Sequence, residues 1–295
     1  MKIGLHVMKF GLPDGPAAIG PALSRIVRDA EQAGIHSFWP MDHFFQIGIA
    51  GPPEDPMLEA YSTLAWAAGQ TTTLQLGALV TGVHYRHPGL LLKTVSTLDV
   101  LSGGRSWLGL GAAWNEHESR GLGVPFPPLA QRFEMLEETL RIAHRMFAGD
   151  DTPIEGRHYR LEQPLNHPAP LRRPPIMIGG MGERKTMRLI AEYADANNFF
   201  ELPAPGALKQ KLDVLRRRCD EAERPYDDIV KTTMGRLGER DLDAARRRFE
   251  ALADLGVDLA IVDLPDPADP SAFDYLAQLV EEVAPLGRPT PALLG

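Results

Sequence analysis

Residues 74–118 read LQLGALVTGVHYRHPGLLLKTVSTLDVLSGGRSWLGLGAAWNEHE, and this stretch decides the fold class. Residues 74–81 are apolar with β-branched members, as in a buried strand. Residues 88–101 set Leu91, Val95, Leu98 and Leu101 at three- and four-residue steps, which predicts a helix with one buried face. Residues 106–112 form a second apolar run, with Gly109 and Gly111 where a strand would run out. The link between helix and strand, residues 102–105, is short. A strand, a crossover helix and a strand joined by short loops require a parallel pair. Both strands then end on one edge of the sheet, and the polar residues after them, 81–87 and 115–118, converge there.

The same alternation extends outward. Strands are predicted at residues 2–7, 37–41, 175–178, 196–200, 229–234 and 257–264. Helices are predicted at 23–33, 58–69, 131–147, 183–194, 208–222, 242–255 and 272–283. Glycine- and proline-rich loops fall at 11–21 and 47–56. Residues 148–174 break the rhythm with Pro153, Pro164, Pro168 and Pro170 around a polar-aromatic EGRHYRLE, and read as an insertion with a small hairpin. Eight βα units in one chain predict a single-domain α/β fold, a (β/α)8 TIM barrel spanning residues 1–295 with that insertion. A doubly wound sheet uses the same alternation, but no GxGxxG follows the first strand.

Composition narrows the class. The formal charge is 31 − 39 = −8, which argues against a non-specific nucleic-acid binder. The one cysteine, Cys219, excludes an internal disulfide and fits a reducing, cytoplasmic compartment. The opening MKIGLHVMKFG has too short an apolar run for a signal core, and no run of 18 apolar residues predicts a membrane span.

A TIM barrel carries its site at the C-terminal strand ends. There, Gly179-Gly180-Met181-Gly182 opens a helix, and exposed N–H groups with a helix dipole bind phosphate. A tight turn with Arg184 and Lys185 solvated is the equal alternative. His43 follows Asp42 and precedes Phe44 and Phe45, a setting for proton transfer or simply a braced loop in which Asp42 holds the imidazole. Trp114 and Asn115 read as a stacking surface and an amide for a ring edge, or as a wall and a helix cap. His84, His87 and His117 lack metal-ligand spacing, so no metal is expected.

Taken together, MDHFFQ (41–46), LGALVTGVHYRHP (76–88), LSGGRSWLGLGAAWNEHE (101–118), GVPFPPLAQRFEMLEETL (123–140), EGRHYRLE (155–162) and PPIMIGGMGERKTMRLIAEYADANN (174–198) resemble the bacterial-luciferase-like flavin family. Within it, the chain is most similar to the branch that uses the deazaflavin coenzyme F420. The resemblance implies a TIM barrel, a homodimer, and an oxidoreductase moving a hydride between F420 and a small organic substrate. An FMN-dependent monooxygenase is the alternative, and a barrel binding a phosphorylated ligand without redox chemistry is a third reading. Carried over, Asp42 and His43 lie by the reactive ring carbon, and a non-proline cis peptide at Ala78-Leu79, with Thr81 beyond it, backs the ring. Asn115 contacts the pyrimidine edge, Gly179, Gly180, Met181 and Gly182 hold the phosphate, and Phe44, Trp114 and Asn197 line the substrate pocket. Some F420 dehydrogenases place a glutamate where this chain has Ala112, and Glu116 or Glu118 is the substitute within reach.

Overall fold

The computed structural model describes residues 1–295 apart from 11–13, 202–203, 265 and 267–268, so the first part of the loop expected at 11–21 lies outside the described residues. The chain runs β1 (Lys2–Val7), α1 (Ile19–Gln32), β2 (Ser37–Pro40), α2 (Ala60–Ala68), β3 (Gln75–Gly77), β4 (Thr81–Gly82), α3 (Pro88–Ser102), β5 (Ser106–Gly111), α4 (Glu116–Gly121) and α5 (Leu129–Phe147). An antiparallel hairpin, β6 (Ile154–Glu155) and β7 (Arg160–Leu161), follows. The second half is β8 (Ile176–Gly179), α6 (Lys185–Tyr193), β9 (Ala196–Phe200), α7 (Ala207–Glu221), β10 (Val230–Arg236), α8 (Leu242–Asp254), β11 (Leu259–Asp263) and α9 (Ser271–Val283).

Eight of these strands pair in parallel in the order β3-β2-β1-β11-β10-β9-β8-β5, and β3 pairs back onto β5. The sheet therefore closes, which a doubly wound fold does not do, and the chain is a (β/α)8 barrel. Inward-facing side chains plug its middle. Trp39 and Trp107 meet edge to face with ring centroids 5.7 Å apart, among Met177, Ala196, Val230, Leu259 and Ile261. Outward-facing strand residues and helix stripes such as Leu91, Leu92, Val95 and Leu98 form the larger surrounding core. Leu101, expected on that stripe, is instead 70% exposed, because a three-residue step from Leu98 turns it off the buried face.

The predicted strand at 74–81 is interrupted. β3 ends at Gly77, residues 78–80 form a bulge with a cis peptide between Leu79 and Val80, and β4 resumes at Thr81. The cis bond thus lies one residue later than the Ala78-Leu79 position the resemblance implied. The bulge presses across the barrel mouth so closely that its neighbours must lack side chains. A Cβ on Gly109 would enter the Ala78 carbonyl, and Cβ atoms on Gly111 and Gly179 would meet Val80 Cγ2 at 2.8 and 2.9 Å. Gly109 therefore lies inside β5, and Gly111 is its last residue.

In the insertion, the hairpin is anchored on α5: Arg157 and His158 backbone N–H groups donate to Glu138 at 2.5 and 2.9 Å. Ile154, Tyr159 and Leu161 join the core.

Candidate active site

The C-terminal strand ends enclose a cavity of about 660 Å³. The two polar segments that had to converge do so. Tyr85, from the segment after β4, and Glu118, from α4, are bonded to each other at 2.5 Å.

Glu118 is the hub. It has no exposed surface, and its Oε1 accepts from His43 Nδ1 at 2.6 Å and from Tyr85 Oη. Its Oε2 accepts the backbone N–H groups of Phe44 and Phe45 at 2.7 and 3.2 Å. Burial opposes ionisation, but the bonds from His43 and Tyr85 outweigh it and hold the carboxyl below its usual pKa. An ionised carboxylate cannot donate, so His43 Nδ1 carries the hydrogen. In the neutral imidazole the lone pair is then on Nε2, and His43 lines the cavity.

Asp42 does not hold His43. Its two oxygens take Arg86 Nη1 and Nη2 at 2.6 and 3.0 Å, and Arg86 Nη2 also donates to Glu59 at 2.5 Å. Burial disfavours the guanidinium, but the Asp42 bonds dominate and raise its pKa. Arg86 also lies over the Tyr61 ring at 4.8 Å and the Phe44 ring at 5.7 Å. Asp42 is thus neutralised within an ion pair, and the bracing role falls to Glu118.

One cavity residue escaped the sequence reading. His6, at the end of β1, is buried, and its Nδ1 donates to the Trp39 carbonyl at 2.5 Å. A carbonyl only accepts, so Nε2 is again the lone-pair nitrogen. Burial pushes the His6 pKa down to about 4, leaving the ring neutral near pH 7. The register pairs His6 with Asp263 of β11. The signal was available in retrospect, since a histidine two residues after Gly4 falls on the inner face of β1.

The other predicted residues divide. Leu79, Trp114, Gly179, Gly180 and Gly182 line the cavity, together with Val80 and Thr186. Trp114 is 64% exposed and meets His43 edge to face at 5.4 Å. Ala78 and Thr81 are fully buried behind the wall, with Thr81 Oγ1 bonded to Tyr61 Oη at 2.7 Å. Met181 packs against the outer core, and Phe44 meets Tyr85 edge to face and is not in the cavity wall. Asn115 precedes α4, makes no side-chain cap bond and is not in the cavity wall. Asn197 is also displaced. Alternation along β9 sends Ala196 and Asn198 inward and Asn197 outward with Phe199. Asn198 is the cavity residue, its amide nitrogen donating to Thr232 Oγ1 at 2.9 Å.

The glycine turn meets the cavity flush. Gly180 has φ +121, and a Cβ on Gly182 would meet Thr186 Oγ1 at 2.8 Å. The residue capping α6, Arg184, supplies no side-chain acceptor to the helix N-terminus. An anion is the natural partner for such an end. Lys185 stays close by, over the Phe133 ring at 5.3 Å.

A family profile described as luciferase-like monooxygenase matches residues 1–272. The F420-dependent glucose-6-phosphate dehydrogenase of Nakamurella multipartita is 28% identical over 227 residues; the match spans 75% of this chain and 65% of that enzyme. An F420-dependent secondary alcohol dehydrogenase, solved with an F420-acetone adduct, superposes with a TM-score of 0.78 at 16% identity over 96% of this chain and 98% of its own. The oxygenating constituent of 3,6-diketocamphane monooxygenase from Pseudomonas putida, solved with FMN, gives 0.76 at 17% identity over 98% and 100%. At these identities the two structures speak for the fold alone.

Proposed function

The chain belongs to the luciferase-like monooxygenase family, and from that premise we propose that it is an oxidoreductase moving a hydride between coenzyme F420 and a small organic substrate. The observation that carries this reading is the make-up of one cavity. It joins a side-chain-free cradle at Gly179, Gly180 and Gly182, the bulge at Leu79 and Val80, and an imidazole held by a buried carboxylate. A Cβ on Gly179 would run into Val80 and one on Gly182 into Thr186, so the turn is kept bare of side chains, and its exposed backbone fits a phosphate beside a flat ring.

F420 supplies, when bound, a ring carbon that accepts or donates a hydride. The protein's part is orientation, dryness and proton handling. Leu79 and Val80 would back the ring, the N-terminus of α6 and Thr186 would take the phosphate, and Leu129, Phe133 and Leu136 would exclude water. His43 presents Nε2 to the cavity and exchanges a proton with the substrate while Glu118 keeps the tautomer fixed.

Titration of cofactor-free protein with F420 and with FMN, read by fluorescence, tests the assignment. F420 is expected to bind more tightly, and equal or tighter FMN binding would give the reading to an FMN monooxygenase. No helix among the described residues is long and apolar enough to cross a membrane. A cytoplasmic homodimer completes the reading. Its support is an uncharged face on α3, where Leu90, Thr94, Thr97 and Leu101 are all exposed, and light scattering in solution measures it.

A further inference from the structure

We propose that the backbone N–H of Ala113, polarised through its own peptide by the buried guanidinium of Arg132, donates a hydrogen bond to the polar edge of the cofactor ring and favours the ring's reduced state. The proposal rests on the F420 reading above and concerns how this chain tunes that cofactor.

Ala113, two residues after β5, holds φ +59, a conformation uncommon for any residue with a Cβ. Such conformations persist where the surroundings over-determine them, and they cluster at functional sites. Two neighbours fix this one. Gly82 leaves it room, since a Cβ there would lie 3.2 Å from the Ala113 Cβ. Arg132 of α5 grips the chain one residue earlier, its Nε donating to the Ala112 carbonyl at 2.8 Å.

Arg132 is buried, yet among the described residues no carboxylate pairs with it. Its Nη1 donates to the Pro127 carbonyl at 2.5 Å, and its guanidinium lies over the Phe126 ring at 3.9 Å. Burial lowers its pKa and Glu116 opposes that, but a guanidinium stays charged near neutral pH. Leucine or methionine would pack α5 against β5 without the desolvation cost of a cation, so packing alone does not account for the charge.

In a trans peptide the C=O and N–H point in opposite directions. The Ala112 carbonyl is turned to Arg132, which is outside the cavity wall, so the N–H of Ala113 is turned the other way. Among the described residues no acceptor meets that N–H. Ala112 and Ala113 both line the cavity. Asn115, whose amide was expected at the ring edge, is out of the wall, so the chain after β5 offers its backbone instead. The cation behind the peptide draws electron density from it and strengthens the donor.

A deazaflavin ring has one polar edge, whose carbonyl oxygens and nitrogens accept hydrogen bonds. A hydride brings two electrons and one negative charge, and that charge spreads to the polar edge. The substrate C–H bond breaks and its hydride forms the new ring C–H bond, while the substrate proton goes to Nε2 of His43. Ala113 keeps its hydrogen and only stabilises the charge, as the donors of an oxyanion hole do.

Calorimetry without substrate, at alkaline pH where the reduced ring keeps its charge, gives the dissociation constants of oxidised and reduced F420. Their ratio reads the preference directly. Replacing Ala113 by lactic acid puts an ester oxygen in place of the N–H and leaves every side chain as it was. The preference for reduced F420 should then fall by roughly two- to tenfold. Arg132→Met keeps the apolar stem, loses the charge and should lower the ratio in the same direction, and Arg132→Lys should restore most of it. Ala113→Gly keeps the N–H and should leave the ratio unmoved. An ester protein in which both forms bind as before, or weaken equally, overturns the proposal and leaves Ala113 a structural turn. A ratio that falls with the ester and not with Arg132→Met removes Arg132 from it. Should Arg132→Met not fold, the ester protein decides alone. Wild-type affinity for F420 is measured first. No binding there fails the F420 reading, and the ratio is then read with FMN, whose ring has the same polar edge.

Discussion

Glu118→Gln tests the site at its most connected atom pair. The carboxylate accepts four hydrogen bonds, from His43, Tyr85, Phe44 and Phe45. An amide offers one oxygen and one NH2. The backbone N–H groups of Phe44 and Phe45 cannot reverse, so the amide oxygen must face them. The NH2 then faces His43 and Tyr85, which can both reverse. The phenol turns its hydrogen away, and the imidazole moves its hydrogen from Nδ1 to Nε2. Four charge-assisted bonds become neutral ones, a loss of about 1 kcal/mol each, or ~2–4 kcal/mol in all. A domain stable by about 5–15 kcal/mol survives that. The chemistry does not, because Nε2 now carries a hydrogen and cannot accept one. Single-turnover reduction of F420 should therefore slow by roughly 10²–10⁴-fold, with F420 affinity nearly unchanged. The acid limb of stability should change as well. Glu118 has a folded pKa below its unfolded value of about 4.3, so its ionisation stabilises the fold above that pH and the contribution is lost as pH falls below it. Glutamine removes that segment of the curve. A variant that loses stability yet keeps the wild-type rate and pH profile would refute the tautomer reasoning and leave Glu118 a structural brace.

His43→Ala should reduce turnover over the same 10²–10⁴ range, and His43→Gln should not restore it; a glutamine variant at wild-type rate would reduce His43 to a spacer. Thr186→Val keeps shape and backbone at the phosphate cradle and should weaken F420 about tenfold, the worth of one bond to a charged group. It is a cleaner probe than Gly180→Val, which φ +121 would strain regardless of any ligand. Gly179→Ala should cost ~1–3 kcal/mol by overpacking Val80, and Val80→Ala should relieve most of that, so thermal melts of the double mutant are expected to be non-additive. Stability should fall as pH drops from about 6.5 towards 4, because His6, His36 and His84, each lowered to about 4, are neutral when folded and take protons when unfolded. His6→Gln should shallow that slope, as measured by denaturant titration across pH.

The barrel was legible in the sequence because it is written locally. Apolar runs of strand length alternate with helical stripes, and short links leave only parallel pairing and one shared edge for the polar residues. That logic placed Tyr85 near Glu118 without coordinates, and it located the glycine turn before α6. What the sequence could not show was partnership across distance. Asp42 and His43 are adjacent in the chain, so each looked like the other's partner. Yet Asp42 belongs to Arg86, 44 residues on, and His43 to Glu118, 75 residues on. The bulge likewise depends on glycines from two other strands, and so its cis bond fell one residue from the expected place. Asn197 and Asn198 are equal as letters, and only the strand's phase in the closed sheet decides which amide meets the cavity. Side-chain pairing is set by which strand ends and loops the closed barrel brings within 3 Å of one another, a tertiary quantity that local sequence pattern does not carry.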